Sequence, residues 1–292
     1  MKTPARFLVH LLVCFVAPFF VLSSIVPATS AQTYNFGQAT LPAGKQPQSI
    51  ATGDLNGDGI RDLVVVNQTD STLDIYLGQP NGSFTLTNTY PAGPESIDEV
   101  GSAGSYVGSY PTWVILGDFN NDGVLDVVVD NSACLLIGHI SSYGCGASYV
   151  SVFLGNGDGT FQARQDFSVP SGALLVQATD MNGDGKLDLV VASNTDNSYV
   201  NTNTSVSVLL GNGDGTFQSA VTYTTPAGTS TLGFVGGTAW AVVADFNGDG
   251  RPDVAASNGA QGVAVFLGNG DGTLQNPLTF ALPEGAAYGF YS

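Results

Sequence analysis

Four nine-residue stretches carry most of the chemistry this chain could do. Asp54, Asn56, Asp58 and Asp62 stand at positions 1, 3, 5 and 9 of the first. The same residue types recur at Asp118, Asn120, Asp122 and Asp126, at Asp180, Asn182, Asp184 and Asp188, and at Asp245, Asn247, Asp249 and Asp253. Each copy reads D-x-N-x-D-G-x-x-D and runs into an apolar stretch such as Leu63-Val64-Val65-Val66. Alternating carboxylate and amide oxygens let a tight loop turn one edge of the chain onto a single point. Gly at position 6 (Gly59, Gly123, Gly185, Gly250) permits the left-handed backbone that such a turn needs. Oxygen donors in this number suit Ca²⁺, a hard cation that takes six to eight of them. About four structural Ca²⁺ ions are expected, one per loop. Hairpin turns alone would explain the D-G and N-G pairs, but turn chemistry does not require Asp at position 9.

By analogy with an EF-hand loop, the carbonyl at position 7 adds a main-chain oxygen, from Ile60, Val124, Lys186 and Arg251. No Glu stands at position 12, where Val65, Val129, Val191 and Ala256 sit, and β-branched residues dominate the next stretch. The Asp at position 9 is therefore expected to supply the last carboxylate of a loop joining two strands. The residue at position 2 (Leu55, Phe119, Met181, Phe246) reads as an apolar plug beneath each loop.

The loop starts lie 64, 62 and 65 residues apart, which is a structural repeat. A second element accompanies each loop: Val206-Ser207-Val208-Leu209-Leu210-Gly211-Asn212-Gly213-Asp214-Gly215-Thr216-Phe217, echoed at 150–161 and 263–274 and more loosely at 73–84. On these two elements nearly all of residues 32–292 resembles the FG-GAP/VCBS repeats, also seen in integrin α-subunit propellers. The resemblance implies an all-β fold, a β-propeller or partial propeller of about four four-stranded antiparallel blades, with calcium loops between the first and second strands. It also implies an interaction or adhesion role toward an extracellular protein or glycan. The Gly-Asn-Gly-Asp-Gly-Thr segments at Gly155, Gly211 and Gly268 lack a ninth-position carboxylate and read as hairpin turns.

Blade one is expected at 48–52, 62–67, 72–77 and 84–90, followed by a surface loop from Pro94 to Tyr110. Blade two contains strand Asp126–Val129 and then an insertion, Asn131 to Ala147, holding Cys134, His139, Tyr143 and Cys145. Blade three is expected at 174–179, 188–193, 205–210 and 217–224, and blade four at 239–244, 253–257, 262–267 and 274–281. Tyr34 to Pro42 resembles a fourth strand, and Ala286 to Ser292 the start of a further blade, so this chain is expected either to be part of a larger propeller or to close a small ring.

Residues 1–31 read as a secretory signal: Lys2 and Arg6, an apolar stretch from Phe7 to Val26, and small residues at Thr29-Ser30-Ala31. Cleavage leaves no stable membrane span and a secreted or cell-surface chain. Five cations and 24 anions then remain, a net charge of −19, and 12 of those anions belong to the four loops. With no basic face available, nucleic acid is excluded as a partner. In a secreted chain Cys134 and Cys145 are expected to pair as a disulfide. Three N-glycosylation patterns occur, at Asn67, Asn81 and Asn203. Catalysis finds little support: His139 is the sole histidine after the signal, no G-x-S-x-G occurs, and the evident Asp pairs are taken by loops. The expected function is that of a non-catalytic, calcium-stabilised interaction module. The alternatives are the propeller part of a secreted polysaccharide-degrading enzyme and a structural piece of a larger surface protein.

Overall fold

A computed structural model describes residues 40–93, 98–99, 106–107, 110–132, 148–194, 204–226, 240–258 and 262–281. The signal segment, Tyr34 to Ala39, the Cys134–Cys145 pair with His139 and Tyr143, Asn203, and Ala286 to Ser292 lie outside the described residues. Among the described residues no helix is long and apolar enough to cross a membrane.

The β-branched runs form strands, and the strands form four antiparallel meanders. Blade one is β1 (Pro47–Gly53), β2 (Asp62–Asn67), β3 (Thr72–Gly78) and β4 (Phe84–Pro91). A small pair, β5 (Asp98–Glu99) and β6 (Tyr106–Val107), follows. Blade two is β7 (Tyr110–Gly117), β8 (Asp126–Ser132), β9 (Ser148–Phe153) and β10 (Gln165–Val169). Blade three is β11 (Ala173–Thr179), β12 (Asp188–Asn194), β13 (Thr204–Leu209) and β14 (Val221–Thr224). Blade four is β15 (Ala241–Ala244), β16 (Asp253–Ser257), β17 (Val263–Phe266) and β18 (Leu278–Phe280). The first strands lie side by side, β1 on β7, β7 on β11 and β11 on β15, as the inner edges of a propeller do.

The second strands are apolar on both faces, and in blades two and three each face meets a neighbouring blade. Val64, Val66, Leu73 and Ile75 of blade one pack with Val127, Val129, Phe153 and Phe161 of blade two. Equivalent cores lie between blades two and three and between blades three and four. The plugs sit in these seams: Leu55, Phe119 and Met181 are 2%, 2% and 1% exposed. Phe246 departs from the expectation. It is 48% exposed, because a plug is covered by the next blade and among the described residues no blade follows on the far face of blade four.

Three further expectations change. The stretch from Pro94 to Tyr110 holds the β5–β6 ladder and the start of β7, so it is not wholly a loop. Asn131 and Ser132 belong to β8, so the insertion begins later. In blades three and four the fourth strand starts at Val221 and Leu278 rather than at Phe217 and Leu274, because Phe217 and Leu274 form isolated bridges with Gly211 and Gly268 and the Gln218 and Gln275 amides bond the Leu210 and Leu267 carbonyls.

Adjacent blades are also stapled through the turns. The Gly159 amide donates to the Leu55 carbonyl and the Gly215 amide to the Phe119 carbonyl, each at 3.1 Å. Gly215 has φ +83°, and a Cβ there would stand 2.6 Å from the Leu154 side chain of the preceding blade. Gly57 has φ +75° with open space around it. Gly57→Ala is expected to lose about 1–2 kcal/mol from backbone strain alone. Gly215→Ala should lose at least about 1 kcal/mol more from overpacking. Urea denaturation of the two variants checks this, and equal losses would show that the Leu154 contact contributes nothing.

Candidate calcium loops

Each loop joins the first and second strands of its blade and is built on hydrogen bonds from its own amides. Asp54 Oδ1 accepts from Gly57 N at 2.8 Å and its Oδ2 from Gly59 N at 2.8 Å. Asp245 repeats this with Gly248 at 2.7 Å and Gly250 at 2.8 Å. Asp180 does so with Gly183 and Gly185, and Asp118 accepts from Asp122 and Gly123. The Asn amides at position 3 donate to position 5: Asn56 to Asp58, Asn120 to Asp122 and Asn247 to Asp249. The second oxygen of position 5 accepts the amide of position 7, at 2.7 Å for Ile60, 2.8 Å for Val124, 3.0 Å for Lys186 and 2.9 Å for Arg251. Position 4 is left-handed in every copy, so Asn121 at φ 59° stands where the other loops have Gly57, Gly183 and Gly248. Asn tolerates that conformation better than most residues, which is how loop two dispenses with the glycine.

The Asp at position 9 does something the pattern alone did not announce. Asp62, Asp126, Asp188 and Asp253 are fully buried. One oxygen of each accepts the amide of the plug: Leu55 at 2.7 Å, Phe119 and Met181 at 2.8 Å, Phe246 at 3.0 Å. The other accepts the amide of the glycine closing the third strand: Gly78, Gly155 and Gly268 at 2.8 Å, Gly211 at 2.7 Å. These glycines are sterically required. A Cβ on them would fall 2.3, 2.4, 2.2 and 2.1 Å from the carbonyl oxygens of Arg61, Leu125, Leu187 and Pro252. The recurrent Leu-Gly after each third strand is the sequence signal for this clamp.

The donor set fits calcium in kind, since every side-chain donor is oxygen. Among the described residues no group of three or more His, Cys, Asp or Glu side chains converges as a metal cluster. The oxygens instead face the loop's own amides. Electrostatics favour a cation. Burial pushes the Asp126 carboxyl above its ordinary range, the Gly155 and Phe119 amides pull it back, and Asp122 and Asp118 push the same way as burial. Asp188 behaves likewise, with Asp184 and Asp180 as its neighbours. Asp245 is held below the usual range, first by the Gly250 amide. Lys186 sits 3.6 Å from Asp184; among the described residues no other loop Asp has an ion-pair partner.

The Gly-Asn-Gly-Asp-Gly-Thr segments are turns, as expected. Asp158, Asp214 and Asp271 each accept both the amide and the hydroxyl of Thr160, Thr216 or Thr273. The glycosylation pattern at Asn67 is unusable in the folded chain, because Asn67 is buried with its amide on Asp74 at 2.7 Å.

Sequence reasoning missed a pair of aromatics at the far end of the inner strands. Trp113 and Trp240 each stand five residues before the first Asp of a loop, in blades two and four. Their rings meet edge to face at 5.9 Å and 82° across blade three, and Trp240 is half-exposed. Across the β7–β8 pair from Trp113 lies Asp130, fully buried, accepting only the Thr112 hydroxyl among the described residues, with its other oxygen unpartnered. Burial pushes its carboxyl up to about 7.

The sequence model of one family, described as FG-GAP-like repeat, matches residues 54–129, 138–191, 180–256 and 245–291. No curated protein matches. Among solved structures, a protein from Lactobacillus plantarum is similar with a TM-score of 0.45 and 16% identity, over 80% of this chain and 57% of that one. A rhamnogalacturonan lyase from Bacillus licheniformis is similar with a TM-score of 0.39 and 15% identity, over 78% of this chain and 49% of that one. An exotype rhamnogalacturonan lyase gives 0.39 and 16%, over 78% and 46%. The chain spans about half the length of these structures.

The buried acid makes a test of its own. An unfolded Asp titrates near 3.8, whereas Asp130 holds its proton to about 7. From about pH 4 to pH 7 the unfolded chain sheds a proton that the folded chain keeps, so stability falls as pH rises through that window. Asp130→Asn abolishes the effect. Wild type should lose on the order of 4 kcal/mol relative to the variant across the window, read by urea denaturation at a series of pH values. A difference that stays constant with pH would refute the assignment.

Proposed function

The chain belongs to the FG-GAP-like repeat family, and on that premise we propose that it is a calcium-stabilised, non-catalytic interaction module, secreted or displayed at the cell surface, for a protein or glycan ligand. The observation that carries the reading is the fourfold loop. Carboxylate and amide oxygens at positions 1, 3 and 5 crowd an exposed tip above a buried carboxylate, and the carboxyls of Asp126 and Asp188 are pushed up first by burial and, to a smaller extent, by the repulsion of the loop carboxylates. A divalent cation offsets that repulsion. The residues that would hold it are Asp54, Asn56, Asp58, Asp62 and the Ile60 carbonyl in loop one, and their equivalents in the other three. The ion's contribution is charge neutralisation and loop closure. The chain's own residues supply the rest, the position-9 clamp holding the loop against the third strand.

The acidic residues support a structural role rather than catalysis, since the loop Asp are engaged by amides. Ligand contact fits the opposite end of the inner strands, where Trp240 presents a half-exposed ring braced edge-on by the partly buried Trp113. At about 1 mM Ca²⁺ and a Kd of about 10⁻⁴ M, each site would add about 1.4 kcal/mol of stability. Thermal unfolding with calcium and with a chelator is expected to show a large downward shift on chelation, with about four ions bound by calorimetry. Asp249→Ala should lower that stoichiometry by one. An unchanged melting temperature on chelation would reduce the loops to turns and remove calcium from the function.

A further inference from the structure

The four loops share their oxygens but not their cations. Loop two, from Asp118 to Asp126, contains none, whereas loops one, three and four contain Arg61, Lys186 and Arg251. The fold sends these three in different directions. Arg61, at position 8, turns back along β1 and donates from Nη1 to the Thr52 carbonyl at 3.4 Å. Arg251, at position 7, lies along the second turn of its own blade, where a Cβ on Gly270 would stand 3.0 Å from its Cδ and 3.1 Å from its Nε. The Thr273 hydroxyl and amide hold Asp271 below the ordinary carboxylate range, and the Arg251 charge adds to their pull. Lys186, also at position 7, is the one of the three that returns to its loop, with Nζ 3.6 Å from Asp184 Oδ2. Among the described residues neither arginine makes an ion pair with a loop carboxylate.

Two contacts aim that ammonium. Its stem packs on the turn after β13, since a Cβ on Gly213 would stand 2.9 Å from Lys186 Cδ and 3.1 Å from Cε. Its own amide donates to Asp184 Oδ1 at 3.0 Å, so the backbone and the side chain of one residue face both oxygens of one carboxylate. In loops one, two and four the corresponding Oδ2, of Asp58, Asp122 and Asp249, accepts the position-3 amide, a neutral donor. Ile60 and Val124 hold the place of Lys186 with apolar side chains, packed toward Gly78 and Gly155. Among the described residues Asp184 is thus the loop carboxylate whose charge the chain itself already offsets.

We propose that the four loops do not fill together: Lys186 competes with Ca²⁺ for Asp184, so loop three is the weakest of the four sites and the last to take its ion. The inference rests on the calcium reading of the loops and adds to it an order of filling. An ammonium and Ca²⁺ at one carboxylate repel each other, and the ion must displace the Lys186 head or share the oxygen with it. For half-exposed charges at this separation the competition is worth a factor on the order of five in affinity. Salt screens exposed charges, so the factor shrinks as ionic strength rises. Loop three carries Met181, the plug of the seam between blades three and four. That seam is therefore the one that tightens last as calcium rises.

The test is hydrogen exchange of the four loop segments in the full chain, read against free Ca²⁺ at low ionic strength. In wild type, loop three is expected to become protected at a free Ca²⁺ about fivefold above the other three. Lys186→Met keeps a stem on Gly213 and removes the charge. It should lower the loop-three midpoint by about the same factor and leave that of loop one in place. Val124→Lys puts the ammonium into loop two, where the side chain also lies over a turn glycine, Gly157, and should raise the loop-two midpoint. High salt separates competition from packing: it should close the gap between loops three and one in wild type and change nothing between them in Lys186→Met. A loop-three midpoint at or below the others, or one that Lys186→Met leaves where it was, would overturn the proposal while the calcium loops stand. Loops that all ignore Ca²⁺ would remove the calcium reading and this inference with it.

Discussion

The fold depends on a carboxylate that water does not reach. Burying an ionised Asp is costly unless its oxygens are hydrogen-bonded. Each position-9 Asp meets that condition with two backbone amides. One belongs to the plug, seven residues earlier, and the other to the end of the third strand. The bond pair therefore closes the loop, aims the plug into the seam and draws the third strand against the second. Removing one oxygen would strand a buried amide as well as the remaining charge, which is the expensive way to lose a hydrogen bond. The glycine of each Leu-Gly arises from the same constraint, since only a residue without Cβ brings its amide so close to the opposite carbonyl.

From the clamp outward, the architecture is a sum of neighbours. Each blade covers one face of the blade before it, and in every seam a turn glycine of one blade, Gly159, Gly215 or Gly272, lies against a leucine of the blade before, Leu77, Leu154 or Leu210. Such a chain behaves as a one-dimensional array whose end faces keep the apolar character of interior ones. The exposed large hydrophobics accordingly gather on blade four: Trp240, Val242, Phe246, Val263, Leu278 and Phe280. The asymmetry between Phe246 and its three buried counterparts is a property of position in the array, since the four loops share one pattern.

The two ends of the inner strands have different chemistry. One end concentrates negative charge in loops that hold their shape through their own amides. The other holds two tryptophans and a carboxyl that keeps its proton to about 7. Both ends are set by the same five-residue step from Trp113 or Trp240 to the following Asp, so the sheet fixes the spacing between them.

Much of this was legible in one dimension. Repeat spacing, the β-branched runs and the D-x-N-x-D-G-x-x-D loops determined four blades and most strand limits within a residue or two, because local chemistry dictates turns and a strand buried on both faces must be apolar throughout. Asp158, Asp214 and Asp271 were rightly turn residues for the same local reason. The tertiary structure decided what depends on a partner distant in sequence. It gave the position-9 Asp an amide from Gly78, Gly155, Gly211 or Gly268, 15 to 29 residues away. It brought Trp113 and Trp240 together across an intervening blade. It left Phe246 uncovered although its pattern matches Leu55. Burial is a property of what lies opposite, and no spacing along the chain states that.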